Sequence, residues 1–296
     1  KTWIKNMIKK GIILAAGIGS RLSPLTKAIN KQLLPIYDKP LIFYPLSTMM
    51  QNGIKNIMII VNKGQLKQFK KILPVKNNLG IKIQYKEQKK PNGIPDAFNI
   101  GKNFIKNDNV ALILGDNFYY SKDIKEKFFE NVEFKSGAKI LLYYVKKPQH
   151  YGVAKINKKN EVLEMVEKPI KPKSNLAITG FYIFDKNVVK YTKLLKPSKR
   201  KELEITDLLK IYQKKGKLKS NLMKKNIKWL DTGSVKDLFL ASQFVESIEK
   251  EKRKKIGCLE EIALKNKWIN KNKILKSIKF YGNCDYSLYL RSLIKN

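Results

Sequence analysis

Gly11–Ala16 (GIILAA), Val110–Leu114 (VALIL) and, after its first residue, Asn56–Val61 (NIMIIV) are uninterrupted apolar runs. A strand wetted on one side alternates polar and apolar residues. These do not, so each reads as a strand buried on both faces, the pattern of a parallel sheet covered by helices on both sides. Ile81–Tyr85 and Ile140–Val145 read as further strands. Helix-compatible stretches lie between them at Pro40–Asn52, Gln65–Leu73 and Ile94–Phe104. After about residue 150 the rhythm changes. Tyr151–Ile156, Val162–Glu167 and Gly180–Phe184 are short strands at hairpin-like spacing, either an antiparallel insertion or an extension of the sheet. Lys228–Leu230 gives one more short strand. From Val235 the chain reads as helical, with Leu238, Ala241, Val245 and Ile248 on one face and Glu246–Lys255 as a solvated charged end. The class is α/β, and the organisation expected is an extension over 1–8, a main domain over 9–235 and a C-terminal helical subdomain over 236–296.

Composition removes several function classes. No run of about 18 uncharged apolar residues exists, so no membrane span is expected. No apolar core follows the charged N-terminus, so no cleaved secretory signal is expected, and Met7 is a candidate start that would make Lys1–Asn6 an upstream extension. His150 is the single histidine, which argues against multi-histidine zinc sites. Cys258 and Cys284 lack metal or redox spacing and read as free thiols of a cytoplasmic protein. The net charge of +38 suggests a polyanion partner, yet only Arg21, Arg200, Arg253 and Arg291 among the 62 basic residues are arginine. Base-reading proteins favour the arginine fork. The lysines are spread along the chain beside many Asn and Ile, as A/T-rich coding drift would leave them. No specific nucleic-acid partner is therefore expected, and a polyanion-binding protein remains the distant alternative.

The chemistry gathers at strand ends. The first apolar run enters Gly17-Ile-Gly19-Ser20-Arg21. Glycines let backbone N–H groups approach a phosphate, a following helix N-terminus favours anions, and an arginine can clamp phosphate oxygens. Leu22 stands where a dinucleotide fingerprint needs its third glycine, and no Gly-Lys-Ser/Thr closes the loop as in a P-loop. An ordinary strand–turn–helix corner is the bland alternative. Asp116, in Leu114-Gly-Asp-Asn117, follows a strand, where ligands of open α/β sheets gather, and a carboxylate there suits Mg²⁺; capping a helix is its other reading. Asp231, in Trp229-Leu-Asp-Thr-Gly233, also follows a short strand, and two such aspartates could share one metal. Glu167-Lys168-Pro169 offers an acceptor for sugar hydroxyls beside a cation for a sugar phosphate, or simply an exposed strand-end pair. Glu202–Asp207 reads as a helix start with acids in its first turn, just after Arg200. Lys31 taken alone reads as a solvated lysine.

Together these motifs resemble the glucose-1-phosphate thymidylyltransferases, a family of sugar-nucleotide pyrophosphorylases. The resemblance runs over about residues 9–292 and is carried by KGIILAAGIGSRL, KQLLPIYDKPLIFYPLSTMM, LILGDNFYY, YGVAKI, EKPIKPKSNLAITGFYIFD, ELEITDLL, WLDTGS and CLEEIAL. It implies a Rossmann-like nucleotidyltransferase fold with a mainly parallel central sheet, an antiparallel sugar-side extension and a C-terminal helical subdomain. It implies condensation of dTTP with glucose 1-phosphate to dTDP-glucose and pyrophosphate, a first step towards dTDP-L-rhamnose and other dTDP-sugars, with Mg²⁺ as cofactor and a homotetramer as the assembly. Carried over by position, Leu14 would contact the nucleotide and Gly17, Gly19, Ser20 and Arg21 would line the triphosphate, with Arg21 and Lys31 on the departing pyrophosphate. Gln88 and Gly93 would contact thymine, supported by Gln32. Asp116 and Asp231 would hold the metal. Gly152, Glu167 and Ile178 would face glucose, and Lys168 and Arg200 its phosphate. Four departures stand out. Ala16 replaces a usual glycine, Pro95 and Asp96 replace a small residue and an amide, and Lys224-Lys-Asn226 replaces a Gly/Arg run tied to a second, regulatory nucleotide site. Pro95 would remove a backbone donor and Asp96 would bring negative charge near the base. The alternatives kept are a UTP- or CTP-using pyrophosphorylase and a non-catalytic relative. The latter should show a broken set, whereas Arg21, Lys31, Asp116, Lys168 and Asp231 are all present.

Overall fold

A computed structural model of the chain describes residues 8–72, 78–121, 134–224 and 226–295. The candidate start at Met7 with its upstream extension, and Lys225 of the departing segment, lie outside these. Strand β1 (Lys10–Ala15) leads to the short hairpin β2 (Pro35–Ile36) and β3 (Lys39–Pro40), then α1 (Phe43–Gln51), β4 (Asn56–Asn62), α2 (Leu66–Ile72) and β5 (Lys82–Gln88). Next come α3 (Asp96–Ile100), α4 (Lys102–Ile105), β6 (Val110–Leu114) and β7 (Asn117–Ser121). The strands β8 (Ala138–Tyr144), β9 (Gly152–Ile156), β10 (Val162–Glu167) and β11 (Leu176–Phe184) precede α5 (Val188–Thr192) and α6 (Ile205–Lys214). Strands β12 (Leu218–Leu222) and β13 (Ile227–Asp231) and helices α7 (Val235–Lys252), α8 (Leu259–Lys265), α9 (Lys271–Tyr281) and α10 (Asp285–Ser292) complete the described chain.

The central sheet runs β10-β9-β11-β6-β1-β4-β5, with β8 also paired to β11 and β12 to β8. Strands β6, β1, β4 and β5 are mutually parallel. Strand β11 reverses direction against β6 and leads into the antiparallel half. The residues after 150 thus extend the sheet. The apolar runs are continuous because both faces are covered. Ile13, Ala15, Ile57 and Ile59 pack with Leu46 and Met49 of α1 on one side, while Ile12, Met58 and Ile60 pack with Phe98 of α3 and Leu208 of α6 on the other.

Three expectations change. No α-helix follows the glycine corner. Ser20–Leu22 make one 3₁₀ turn and Ser23 turns extended, because residues before a proline are driven from the helical region and Pro24 follows. The stretch Ile94–Phe104 holds two helices, divided at Gly101, whose absent side chain admits Met58 and Ile12; a Cβ there would meet Met58 Cε at 2.7 Å. The helix near Glu202 begins only at Ile205, so of the three acids Asp207 alone lies in its first turn.

The charged end of α7 is not wholly solvated either. Glu249 is buried and accepts Lys39 Nζ at 2.9 Å and the Ile256 amide at 2.7 Å. Lys39 and Lys255 both also pair with Asp38. This cluster ties the β2–β3 hairpin to the end of α7. Leu259, Ile262 and Ala263 of α8 lie in the same core as Ile13 and Leu46. Cys258 and Cys284 are free thiols. Among the described residues no helix is long and apolar enough to cross a membrane.

Candidate active site

Strand β6 ends beside β1, and its chain continues through Gly115, whose amide donates to Leu14 O at 2.9 Å. A Cβ at Gly115 would meet Gln32 Cγ at 2.9 Å, so glycine lets the strand end close over the KQLLP turn. Asp116 comes next. Antiparallel pairing of β13 with β7 sets Asp231 opposite Asn117, and Thr232 Oγ donates to the Asp116 carbonyl at 2.9 Å. A contact over more than a hundred residues therefore brings the two aspartates together. Buried Lys31 donates to Asp116 Oδ2 at 2.7 Å, and Asn117 Nδ2 donates to Oδ1 at 3.1 Å. Burial pushes the Asp116 carboxyl up, but the Lys31 charge and these hydrogen bonds outweigh it and hold it below the usual range. Asp231 goes the other way. Burial, then the Asp116 charge, push it up to about 7, against the pull of Lys31 and Arg21. Among the described residues no third His, Cys, Asp or Glu joins them. Two hard oxygen donors with open coordination fit an Mg²⁺-type cation, which keeps waters and binds substrate phosphates.

Both aspartates line a cavity of about 150 Å³ with Arg21, Gly152, Glu167, Lys168 and Ile178. Gly152 pairs with Glu167 across β9 and β10, and a Cβ there would meet Glu167 Oε2 at 3.0 Å. Neighbouring strand residues point to opposite faces. Glu167 and Lys168 nevertheless line the same cavity. Lys168 leaves the strand with φ +42°, its amide bonded to Tyr151 O at 3.1 Å. That left-handed conformation costs a residue with a side chain on the order of 1 kcal/mol, and such strain collects at functional sites. Burial raises the Glu167 carboxyl above its ordinary value, partly offset by Lys168.

The glycine corner lies beside Lys31: a Cβ on Gly19 would meet Lys31 Cβ at 3.2 Å. Gly19 has φ +68°, and its carbonyl accepts Thr26 Oγ1 at 2.9 Å. Among the described residues, the N–H groups of Gly17, Ile18 and Gly19 donate to no protein group. They are available to an anion despite the missing helix. Arg21 follows in the 3₁₀ turn with Ser20, and a Cβ on Gly233 would meet its guanidinium at 2.9 Å. Gln32 is buried with Oε1 unpartnered. Gln88 closes β5 beside Asn62, whose Nδ2 reaches Gly17 O at 3.4 Å. Gly93 has φ +94°, and a Cβ there would lie 2.2 Å from Leu203 O, so only glycine fits that crossing.

A family profile described as nucleotidyl transferase matches residues 10–248. The glucose-1-phosphate thymidylyltransferase of Neisseria meningitidis serogroup A is 41% identical over 97% of this chain and 99% of its own. That of Mycobacterium tuberculosis is 38% identical over 97% of this chain and 99% of its own. The chain belongs to the nucleotidyl transferases, among the glucose-1-phosphate thymidylyltransferases. Two solved structures share the fold. A Bacillus anthracis protein described as a candidate glucose-1-phosphate thymidylyltransferase, in complex with sucrose, has TM-score 0.73 and 41% identity, over 79% of this chain and 94% of its own. A UDP-glucose pyrophosphorylase complexed with UDP-glucose has TM-score 0.70 and 28% identity, over 82% of this chain and 100% of its own.

Within this thymidylyltransferase frame the structure corrects two readings. Arg200 does not line the cavity. Its fork is held by Glu204, Nε to Oε1 at 3.0 Å and Nη2 to Oε2 at 2.7 Å. Pro95 costs no hydrogen bond. It stands immediately before α3, where backbone donors have no helical partner. Sequence reasoning also passed over residues that complete the site. Buried Asn117 accepts Trp229 Nε1 at 2.6 Å and the Gly180 amide at 3.2 Å, which orients the amide it gives to Asp116. Thr206 hydrogen-bonds Glu167, and Tyr151, Trp229 and the sole histidine, His150, line the cavity. Asn117, Thr206 and Trp229 each stand inside a motif already quoted, which was the available signal.

Proposed function

We propose that the chain condenses dTTP with α-D-glucose 1-phosphate, releasing pyrophosphate. The observation that carries this is the β13–β7 pairing, which brings Asp231 to Asp116, the partner of Lys31, in a cavity that Glu167 and Lys168 also line. A phosphate oxygen of the sugar attacks the α-phosphorus in line and pyrophosphate leaves, so no protein nucleophile is needed. Asp116 and Asp231 would hold Mg²⁺, which offsets charge on the α-phosphate. The free amides of Gly17–Gly19, with Ser20, cradle the triphosphate, Leu14 contacts the nucleotide, and Arg21 and Lys31 meet charge on the departing pyrophosphate. Lys168 grips the sugar phosphate. Glu167 accepts sugar hydroxyls beside Gly152 and Ile178, and Arg200 acts through Glu204. Gln88 and Gly93 face the base, with Gln32 behind. The fold kinship with a UDP-glucose pyrophosphorylase makes UTP the second candidate triphosphate. The reaction belongs in the cytoplasm, where these substrates occur. Assembly as a homotetramer is what the resemblance implies, and the exposed Val235, Phe239 and Leu240 of α7 offer an apolar surface for self-association.

Pyrophosphate release assayed with dTTP, UTP, dCTP and CTP, with and without Mg²⁺, tests the reading. Turnover is expected with dTTP and Mg²⁺. Asp116→Asn should lose about 100-fold or more in kcat with an unchanged circular dichroism spectrum. Lys168→Ala should chiefly raise KM for glucose 1-phosphate. Full activity of Asp116→Asn at saturating Mg²⁺ would defeat the assignment.

A further inference from the structure

Asp96 stands where the resemblance leads one to expect an uncharged amide, and its charge is not left loose. Oδ2 accepts Gln88 Nε2 at 3.0 Å and Asn92 Nδ2 at 3.4 Å, and Oδ1 accepts Asn99 Nδ2 at 3.5 Å. An ionised carboxylate only accepts hydrogen bonds, whereas a glutamine amide can present either its oxygen or its nitrogen. Facing a carboxylate, the Gln88 amide has one allowed orientation, nitrogen inward to Asp96. Its Oε1 is then the atom turned away from α3. Gln88 is 5% exposed and sits at the carboxyl end of a parallel strand, so it is packed where a ligand of an open sheet binds.

We infer that Asp96 is a positioning residue for base selection, locking the Gln88 amide so that Oε1 accepts a hydrogen bond from a pyrimidine N3–H. This rests on the proposed reaction and on Gln88 facing the base. Thymine and uracil carry a hydrogen on N3. Cytosine presents a bare N3 lone pair, which an oxygen repels. A neutral amide at position 96 offers either an oxygen or a nitrogen and leaves Gln88 free to turn over. The aspartate thus sharpens selection against cytosine while leaving thymine and uracil alike to this contact.

The test is Asp96→Asn, with kcat/KM measured for dTTP, dCTP and UTP against glucose 1-phosphate. The dTTP:dCTP ratio should fall about tenfold, the value of one hydrogen bond, while the dTTP:UTP ratio stays put. The double variant Gln88→Glu/Asp96→Asn again presents an oxygen to N3–H, held from behind by the new amide, and should recover the dTTP:dCTP ratio. Calorimetric Kd values for dTTP and dCTP read the same ratio without turnover. If the native chain releases no pyrophosphate with any triphosphate, the proposed reaction fails, and the Kd ratio still decides the lock. An unchanged dTTP:dCTP ratio in the single variant, equal falls in both ratios, or no recovery in the double variant overturns the inference.

Discussion

Glu167 shows how one residue's surroundings set its chemistry. Burial is the main reason its carboxyl sits above the ordinary value, and the neighbouring Lys168 offsets part of the rise. A carboxyl raised in the folded chain keeps its proton to a higher pH there than when unfolded. Stability from that proton is present at low pH and is lost as pH rises through the elevated value. The ionised carboxylate accepts sugar hydroxyls on both oxygens, whereas protonation turns one of those oxygens into a donor and weakens that grip. KM for glucose 1-phosphate should therefore climb on the acid side at a pH above that of an ordinary glutamate, near 4.3. A pH profile of kcat/KM for the sugar phosphate checks this, and the inflection should vanish in Glu167→Gln. The same inflection surviving in that variant would assign it to another group. Glu167-Lys168 was legible in the sequence as a pair. The left-handed turn that aims both into one cavity was not, because lysine seldom adopts φ +42°.

Elements are pinned by interactions that local patterning hides. The β2–β3 hairpin has two residues per strand, yet it carries Lys39, which is 2% exposed and held by Asp38 and Glu249. A buried charge that loses its partner is costly because desolvation is no longer offset. Lys39→Met should destabilise the chain by about 3 kcal/mol in urea denaturation. Loss below about 0.5 kcal/mol would mean that Lys255 alone satisfies both acids. The periodicity of α7 correctly marked Ala241 and Val245 as buried. It missed Glu249 because charge along a helix usually reads as solvated face, and only the distant hairpin supplies the partner. The long helices and parallel strands were legible for the opposite reason. Their pattern is local, whereas β7 and β12 form through partners far along the chain.

Across the whole molecule the charge of +38 is carried almost entirely by lysine. Diffuse lysine charge attracts polyanions through counterion release, which weakens steeply with salt. A short single-stranded RNA should bind at about 50 mM salt and lose about 100-fold or more in affinity by about 200 mM. Tight binding that persists at the higher salt in a filter or fluorescence titration would revive the polyanion-binding alternative. The C-terminal helices are also part of the whole. Residues of α8 complete the core around α1, and Tyr286 and Tyr289 of α10 donate to the buried Glu260 and Glu261 at 2.7 Å each.

The sequence by itself determined the α/β class, the parallel strands and the glycine corner, because apolar periodicity and turn residues act within a few positions. It also singled out both aspartates, since one follows a short apolar strand and the other ends one. Only the tertiary structure decided that they meet, that the Arg200 fork belongs to Glu204, and that Asp96 is tied to Gln88. Each of those outcomes turns on the orientation of polar groups after folding. Spacing along a chain does not encode which way a carboxylate, a guanidinium or an amide will face.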